Sequence, residues 1–389
     1  MSVLFAQGFL AAGYASGIKD SGGLDLALVA VAGDEPATAG ATFTQNLAAA
    51  APVQVSKDHF VRSSQKIAAV IFSSGNANAA TGSKGLADAN LMCELVGIGL
   101  GVPAESILVC STGLIGIPMP TEKVQSGVPK LVKLLGPAPA NGLSAARAIM
   151  TTDTKEKLVA IEGSNFRLGG MAKGAAMLAP NMATMLAILT TDAAILEEDM
   201  NSCLTKAVDA SFNRLVIDGC TSTNDTVICL SSSKAGKVDL DEFQSVLTQA
   251  CLSLAMQMAL DAEGATKFVT VKVIGAASDA QAEMAARKVA ASQLVQCSFY
   301  GADPYWGRLA SELGSSGAEF DINQLEVMYG TTVVARLGVT VAYDQQALKQ
   351  YMSARDLEVT CNLGLGNGSA FILTTDLTPG YIAENMRTS

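Results

Sequence analysis

The stretch "LAPNMATMLAILTTDA", Leu178–Ala193, decides how this chain is read. It is almost wholly apolar, and a short apolar run of this kind reads as a buried strand. A hydroxyl nevertheless sits in its middle: Thr184, behind Asn181, Met182 and Ala183. Two readings are open. Thr184 is core filling in a strand that tolerates a threonine, or it is a reactive atom in a chain that almost lacks the residues catalysis usually recruits.

Working outward, strands and helices alternate. "DLALVAV" (25–31), "KIAAVIFSSG" (66–75) and "SILVCSTG" (106–113) read as strands running into turns. "KGLADANLMCELVGIGLGVP" reads as a helix stopped by Gly101 and Pro103. In "LEEDMNSCLTKAVDASF" (196–212), Leu196, Met200, Cys203, Leu204 and Ala207 share a helical face; Leu247, Ala250, Cys251, Leu254 and Met258 do so in the segment 243–264. "FVTVKVIG" (268–275) alternates as a half-buried strand. "SDAQAEMAARKVAASQLVQCSFYG" reads as a helix followed by a strand, and "LLGPAPANGLS" (134–144) as a loop or linker. The pattern predicts an α/β fold, with a smaller α/β unit after about residue 270.

Composition limits the function. With 49% hydrophobic and 16% charged residues over 389 positions, the chain can bury large sheets. Lys and Arg number 26 and Asp and Glu 36, so the net charge is −10, which repels phosphate backbones and speaks against nucleic acid as a partner. No run reaches eighteen apolar residues, so no membrane span is expected. The start has neither a basic segment ahead of an apolar one nor an Arg-rich transit pattern, so the expected location is the cytoplasm. The eight cysteines form no C-x-x-C pair, and all are expected as buried free thiols, with no metal site. "GNANAATGSKG" (75–85) and "LGLGNGS" (363–369) have the wrong spacing for phosphate loops. The one histidine, His59, has polar neighbours and is expected at the surface, so a triad built on it is disfavoured.

A threonine hydroxyl needs a base. If the peptide bond before it is cut, its own α-amine, with an unperturbed pKa of about 7.7–8.0, can serve. Such an arrangement suits a chain with a single histidine, and Ala183 is small enough for a self-cleaving turn.

The neighbourhood of Thr184 carries a resemblance. "SGNANAATG" (74–82), "STGLIG" (111–116), "AIMTTDT" (148–154), "KGAAMLAPNMATMLAILTTDA" (173–193), "STNDTV" (222–227), "DAEGATK" (261–267), "GADPYWGR" (301–308) and "LTPGYIAEN" (377–385) follow in the order found in the ornithine acetyltransferase family, the glutamate N-acetyltransferases of arginine biosynthesis. The chain closely resembles that family over nearly its whole length.

The resemblance implies a layered α/β/β/α sandwich of the type shared with N-terminal-nucleophile aminopeptidases. It implies self-cleavage between Ala183 and Thr184 into an alpha chain, 1–183, and a beta chain, 184–389, assembled as an α2β2 heterotetramer. Thr184 would accept acetyl from N2-acetyl-L-ornithine and pass it to L-glutamate. Thr112 and Gly113 would form the oxyanion hole. Substrate-binding positions carry over to Thr151, Lys173, Thr184, Glu263, Asn385 and a terminal hydroxyl residue, Ser389 or Thr388. Lys173 suits a substrate α-carboxylate and Glu263 the ornithine ammonium. No metal or organic cofactor is implied; members with and without acetyl-CoA-dependent activity share these motifs, so that second donor stays open. An amidase passing the acyl group to water and an uncleaved binding protein are the competing readings. The sequence departs from the family's habit at Ser74 and Ala80 (often Asn and Cys), at Tyr305 (usually Asn), and in the ending "NMRTS", which is one residue short and lacks a Tyr.

Overall fold

The computed structural model describes residues 2–177 and 185–386. These form two compact units, one running to Asn213 and including Cys220–Met258, the other combining Arg214–Gly219 with the chain from Ala259 onward.

The first unit is built on two sheets. One is ordered β1-β2-β5-β6, from β1 (Phe9–Tyr14), β2 (Leu26–Val31), β5 (Ala69–Asn76) and β6 (Ile107–Leu114). The other is ordered β4-β3-β10-β9-β8-β7, from β3 (Ala37–Phe43), β4 (Lys66–Ile67), β7 (Lys157–Glu162), β8 (Arg167–Lys173), β9 (Leu186–Ala194) and β10 (Thr226–Lys237). Phe72, Leu108 and Cys110 from the first sheet share a core with Met171, Ile188, Ile228 and Leu230 from the second. Helix α4 (Pro139–Ile149) contributes Ala145, Ala146, Ala148 and Ile149 to that core.

Helices cover the outer faces. Against the first sheet pack α1 (Ala51–Arg62), α2 (Gly82–Leu100) and α3 (Thr121–Lys133), through Val55, Met92, Val96, Val124 and Val128. On the second sheet, α5 (Glu197–Asp209) buries Met200, Cys203, Leu204 and Ala207 against β3, and α6 (Leu240–Leu260) sets Phe243 against Phe166. This is the expected α/β/β/α layering. The opening stretch of the sequence ends in β9, which is flanked by β10 and β8 and buried along all but its last residue. A strand covered on both faces has no polar side to show, which explains why its apolar run does not alternate.

Strand β6 is an edge, and α1 satisfies it. Ser56 exchanges hydrogen bonds with both backbone groups of Val109, at 2.7 and 2.8 Å, and His59 Nδ1 lies 2.8 Å from the Ile107 carbonyl. A carbonyl only accepts, so Nδ1 carries the proton. His59 is therefore a buried strut, not the surface residue its neighbours suggested: the helix face carrying it packs on β6.

In the second unit, β11 (Phe268–Ala276), β12 (Glu326–Tyr329), β13 (Thr332–Arg336), β14 (Val339–Thr340), β15 (Asp356–Asn362) and β16 (Gly368–Thr375) form a sheet ordered β14-β13-β12-β15-β11-β16. Its core combines Val269, Val271 and Val273 with apolar residues of α7 (Asp279–Ala290), α8 (Gln293–Tyr300), α9 (Gly307–Gly314) and α10 (Gln345–Met352). Residues 293–300 are thus a helix, not the expected strand. Ser292 caps it by accepting from the Val295 N–H, so a Ser start signal outweighed a short apolar run. Likewise residues 139–144, expected in a loop, open α4 with a proline at its N-terminus. Leu196 precedes α5 as its exposed N-cap residue and does not join the buried face. Helix α11 (Pro379–Asn385) closes the described chain. Among the described residues no helix is long and apolar enough to cross a membrane. Cys220 and Cys297 are exposed and the other six cysteines buried, so the expectation of eight buried thiols fails at two turn or helix-surface positions.

Candidate active site

Strands β5 and β6 run parallel, with Ser74 opposite Thr112 and Gly75 opposite Gly113, and the register slips at Gly75–Asn76. A slipped ladder ends regular pairing and re-aims the groups beside it. Gly113 adopts φ +130°, and a Cβ there would stand 2.3 Å from the Gly75 carbonyl carbon. Only glycine fits both the dihedral and the approach.

Lys173 ends β8 directly opposite Leu186, the first residue of β9, and Thr226 flanks Leu186 from the other side. Its Nζ donates to Thr112 Oγ1 at 3.2 Å, so the buried Lys173 and Thr112 are brought together from different sheets. Asp153 lies behind them: its Oδ2 is 4.0 Å from Lys173 Nζ and accepts from Thr151 N–H at 3.0 Å. Its Oδ1 accepts from Lys157 Nζ at 2.5 Å and from Gly174 N–H at 2.8 Å. Burial alone would raise the Asp153 carboxyl, but the Lys173 and Lys157 ammonium groups and these bonds hold it down at about 2. Thr151, Gly113, Gly75, Asn76 and Lys19 line a partly open cavity of about 480 Å³. Burial, with Lys173 nearby, lowers the Lys19 ammonium below the usual lysine range, against the pull of Asp25 and Asp153. Asp25 fixes the cavity wall by accepting the backbone N–H groups of Ser16, Gly17 and Ile18 at 2.7–2.8 Å.

Glu263 and Asn385 belong to the second unit, where they meet: Asn385 Nδ2 donates to Glu263 Oε2 at 2.8 Å. Thr378, which caps α11, donates to the Gly264 carbonyl at 2.6 Å and fastens the helix to the turn after Glu263. Gly264 takes φ +64°, and a Cβ there would lie 2.1 Å from Tyr381 N.

Ala183, Thr184, Thr388 and Ser389 lie outside the described residues. Ser74 is buried and donates to the Ala148 carbonyl at 2.5 Å, Ala80 is exposed in the left-handed region, and Tyr305 is exposed beside Trp306 in a cavity of the second unit. Sequence reading did not single out Lys19, Asp153, Lys157, Asn224 or Asp225. Asp153 and Lys157, four residues apart after "TT", were the available signal. Among the described residues no cluster of His, Cys, Asp or Glu is placed to hold a metal ion.

A buried hydroxyl with a lysine donor, a glycine amide in a broken ladder and a carboxylate behind the lysine suit stabilisation of a developing oxyanion. Comparison with known proteins bears on which reaction that is. The sequence model of the ArgJ family matches residues 10–388. The "Arginine biosynthesis bifunctional protein ArgJ" of Thermobifida fusca is 44% identical over 386 residues, 99% of each chain. The solved arginine biosynthesis bifunctional protein argJ of Bacillus halodurans is 34% identical at a TM-score of 0.49, covering 50% of this chain and 95% of its own. The ornithine acetyltransferase of Mycobacterium tuberculosis, solved in complex with ornithine, is 44% identical at a TM-score of 0.44, covering 46% of this chain and 94% of its own.

Proposed function

Because the chain belongs to the ArgJ family, we propose that it is the acetyltransferase of arginine biosynthesis that moves acetyl from N2-acetyl-L-ornithine to L-glutamate. The observation that supports this most directly is the Thr112–Lys173 pair at the head of β9. It puts a hydroxyl beside the strand that begins two residues after Thr184.

In the self-cleavage step, Thr184 Oγ attacks the Ala183 carbonyl carbon, and the C–N bond breaks as the Thr184 nitrogen takes up a proton. Water then hydrolyses the ester, leaving 1–183 with a new carboxylate and Thr184 with a free α-amine. In catalysis that amine takes the hydroxyl proton while Oγ attacks the acetyl carbonyl of the donor. The Thr112 hydroxyl and the Gly113 N–H stabilise the oxyanion. The proton passes to the departing ornithine nitrogen, and an acetyl-Thr184 ester remains. The glutamate α-amine attacks this ester, and N-acetylglutamate leaves as Thr184 recovers its proton. Lys173, Thr151 and Lys19 suit the substrate α-carboxylate, and Glu263 with Asn385 suits the amino side of the ornithine donor. Ser389 completes the binding set.

The same site accepts acetyl-CoA as a second donor, in keeping with the word bifunctional in the relatives' names. No metal or organic cofactor takes part. The pieces 1–183 and 184–389, the latter with a smaller α/β part from about 270, remain together as an α2β2 assembly in the cytoplasm, with no membrane or nucleic-acid partner.

Intact mass under denaturing conditions tests the reading, beside a Thr184→Ala variant. Two pieces in the wild type and one in the variant are expected, followed by glutamate-dependent consumption of acetylornithine. A single uncut wild-type chain without transfer activity rejects it, and consumption independent of glutamate identifies a hydrolase.

A further inference from the structure

We propose that Asn224 and Asp225 are positioning residues that together set the spacing between the nucleophile and its oxyanion donors, an inference that rests on the assignment of Thr184 above. Asp225 Oδ1 accepts the Met185 N–H at 2.8 Å, and the Thr226 N–H donates to the Met185 carbonyl at 3.1 Å. Met185 follows Thr184 in the chain, so both polar backbone groups next to the nucleophile are held by the head of β10. Asn224 turns the other way. Its Nδ2 donates to the Ala77 carbonyl at 2.7 Å and to the Ser111 carbonyl at 2.9 Å. Ser111 immediately precedes Thr112.

Two consecutive residues thus grip the neighbour of the nucleophile on the second sheet and the neighbour of Thr112 on the first. The grip is itself fixed: Asn224 N–H donates to Ser222 Oγ at 3.0 Å, Thr223 Oγ1 donates to Asn224 Oδ1 at 2.6 Å, and Thr44 N–H donates to the Asp225 carbonyl at 2.9 Å. The side-chain amide of Asn224 donates to two buried carbonyls, which would lose their partner with it. Asp225 is fully buried, and burial lifts its carboxyl well above the ordinary range, despite the Met185 N–H, Ser222 and the Lys173 ammonium. The contact that matters is Asp225 Oδ1 accepting the Met185 N–H, and a carboxamide oxygen offers the same acceptor, so an asparagine can take the role over.

The experiment measures self-cleavage by intact mass and the kcat and KM of acetyl transfer in Asn224→Ala, Asp225→Ala and Asp225→Asn. A displacement near 1 Å costs about 10²-fold in rate, so both alanine variants are expected to cut more slowly and to lose about 10- to 100-fold in kcat. KM for acetylornithine and glutamate stays within about twofold, and Asp225→Asn restores most of what Asp225→Ala loses. If Asp225→Ala does not fold, Asn224→Ala and Asp225→Asn are judged by the same criteria. Wild-type rates in Asn224→Ala, a raised KM at unchanged kcat, or an Asp225→Asn variant as slow as the alanine one overturns the proposal. An active wild type with unaffected variants overturns this pair alone; a wild type that neither cuts nor transfers overturns the assignment of Thr184 with it.

Discussion

Lys173 reaches from the second sheet to the first and donates through Nζ to the Thr112 hydroxyl oxygen at 3.2 Å. Lysine has no acceptor, so this contact occupies a lone pair on Thr112 and leaves its O–H hydrogen to point elsewhere. The hydroxyl is thereby biased as a donor, which is what a developing oxyanion needs. Removing one such donor costs about 10²–10³-fold in kcat. Thr112→Ala is expected to lose that much in steady-state acetyl transfer, and Thr112→Ser to recover most of it. Equal losses in both variants would locate the effect in packing of the threonine methyl.

Glu263 accepts from Asn385, and its charge suits the free ammonium of acetylornithine better than the side-chain carboxylate of glutamate. Glu263→Gln keeps an acceptor for Asn385 but removes the charge. Initial-rate kinetics with each substrate varied should show KM for acetylornithine rising about tenfold, an energy of about 1.4 kcal/mol, with KM for glutamate nearly unchanged. A matching rise for both substrates would rule out charge recognition.

The Asp153 carboxyl is held at about 2, against roughly 3.9 for an unfolded aspartate. Its folded pKa is depressed, so its contribution to stability is present above about pH 4 and is lost as pH falls through about 2. Thermal melts of the wild type and Asp153→Asn should differ by a constant amount above about pH 5. The difference should shrink towards pH 2, as the Lys157 and Lys173 ammonium groups lose their counter-charge. A difference that persists undiminished at pH 2 would mean that shape, not charge, holds the cluster.

Burial pushes the Cys251 and Cys361 thiols up to about 12, and Cys93, Cys110 and Cys229 also go up. The thiolate is the reactive form. Iodoacetamide on the native protein should therefore label Cys220 and Cys297, both exposed, and the rest only after unfolding. Peptide mapping by mass checks this, and labelling of Cys110 in the native state would contradict the packed inter-sheet core.

Elements governed by their own neighbours were legible in the sequence. Val269, Val271 and Val273 alternate and are buried, and Gly101 ends α2 in the left-handed region at φ +72°. Where two local signals competed, as at Ser292 ahead of "QLVQCSF", the cap decided and the apolar run misled. His59 shows the other limit: its burial depends on Ile107, 48 positions away. In the site, Thr112, Gly113 and Lys173 stand in recognisable motifs. Asp153, Asn224 and Asp225 lie in quoted motifs too, but those motifs do not show their partners, which for Gly174, Met185 and Ala77 stand 21, 40 and 147 positions away. Composition and periodicity carry no record of such pairings.

Strand β8 precedes the Ala183–Thr184 bond in the chain and β9 follows it, yet the two pair through six residues each, Leu168–Lys173 against Leu186–Thr191. The proposed cut would remove the covalent link between these strands, and what was an intramolecular search would become an encounter between separate molecules. Folding would then depend on protein concentration, with a unimolecular route for the uncut chain and a bimolecular one for the cut chain. On that reading the cut would act as a timestamp, after which the unimolecular route is closed.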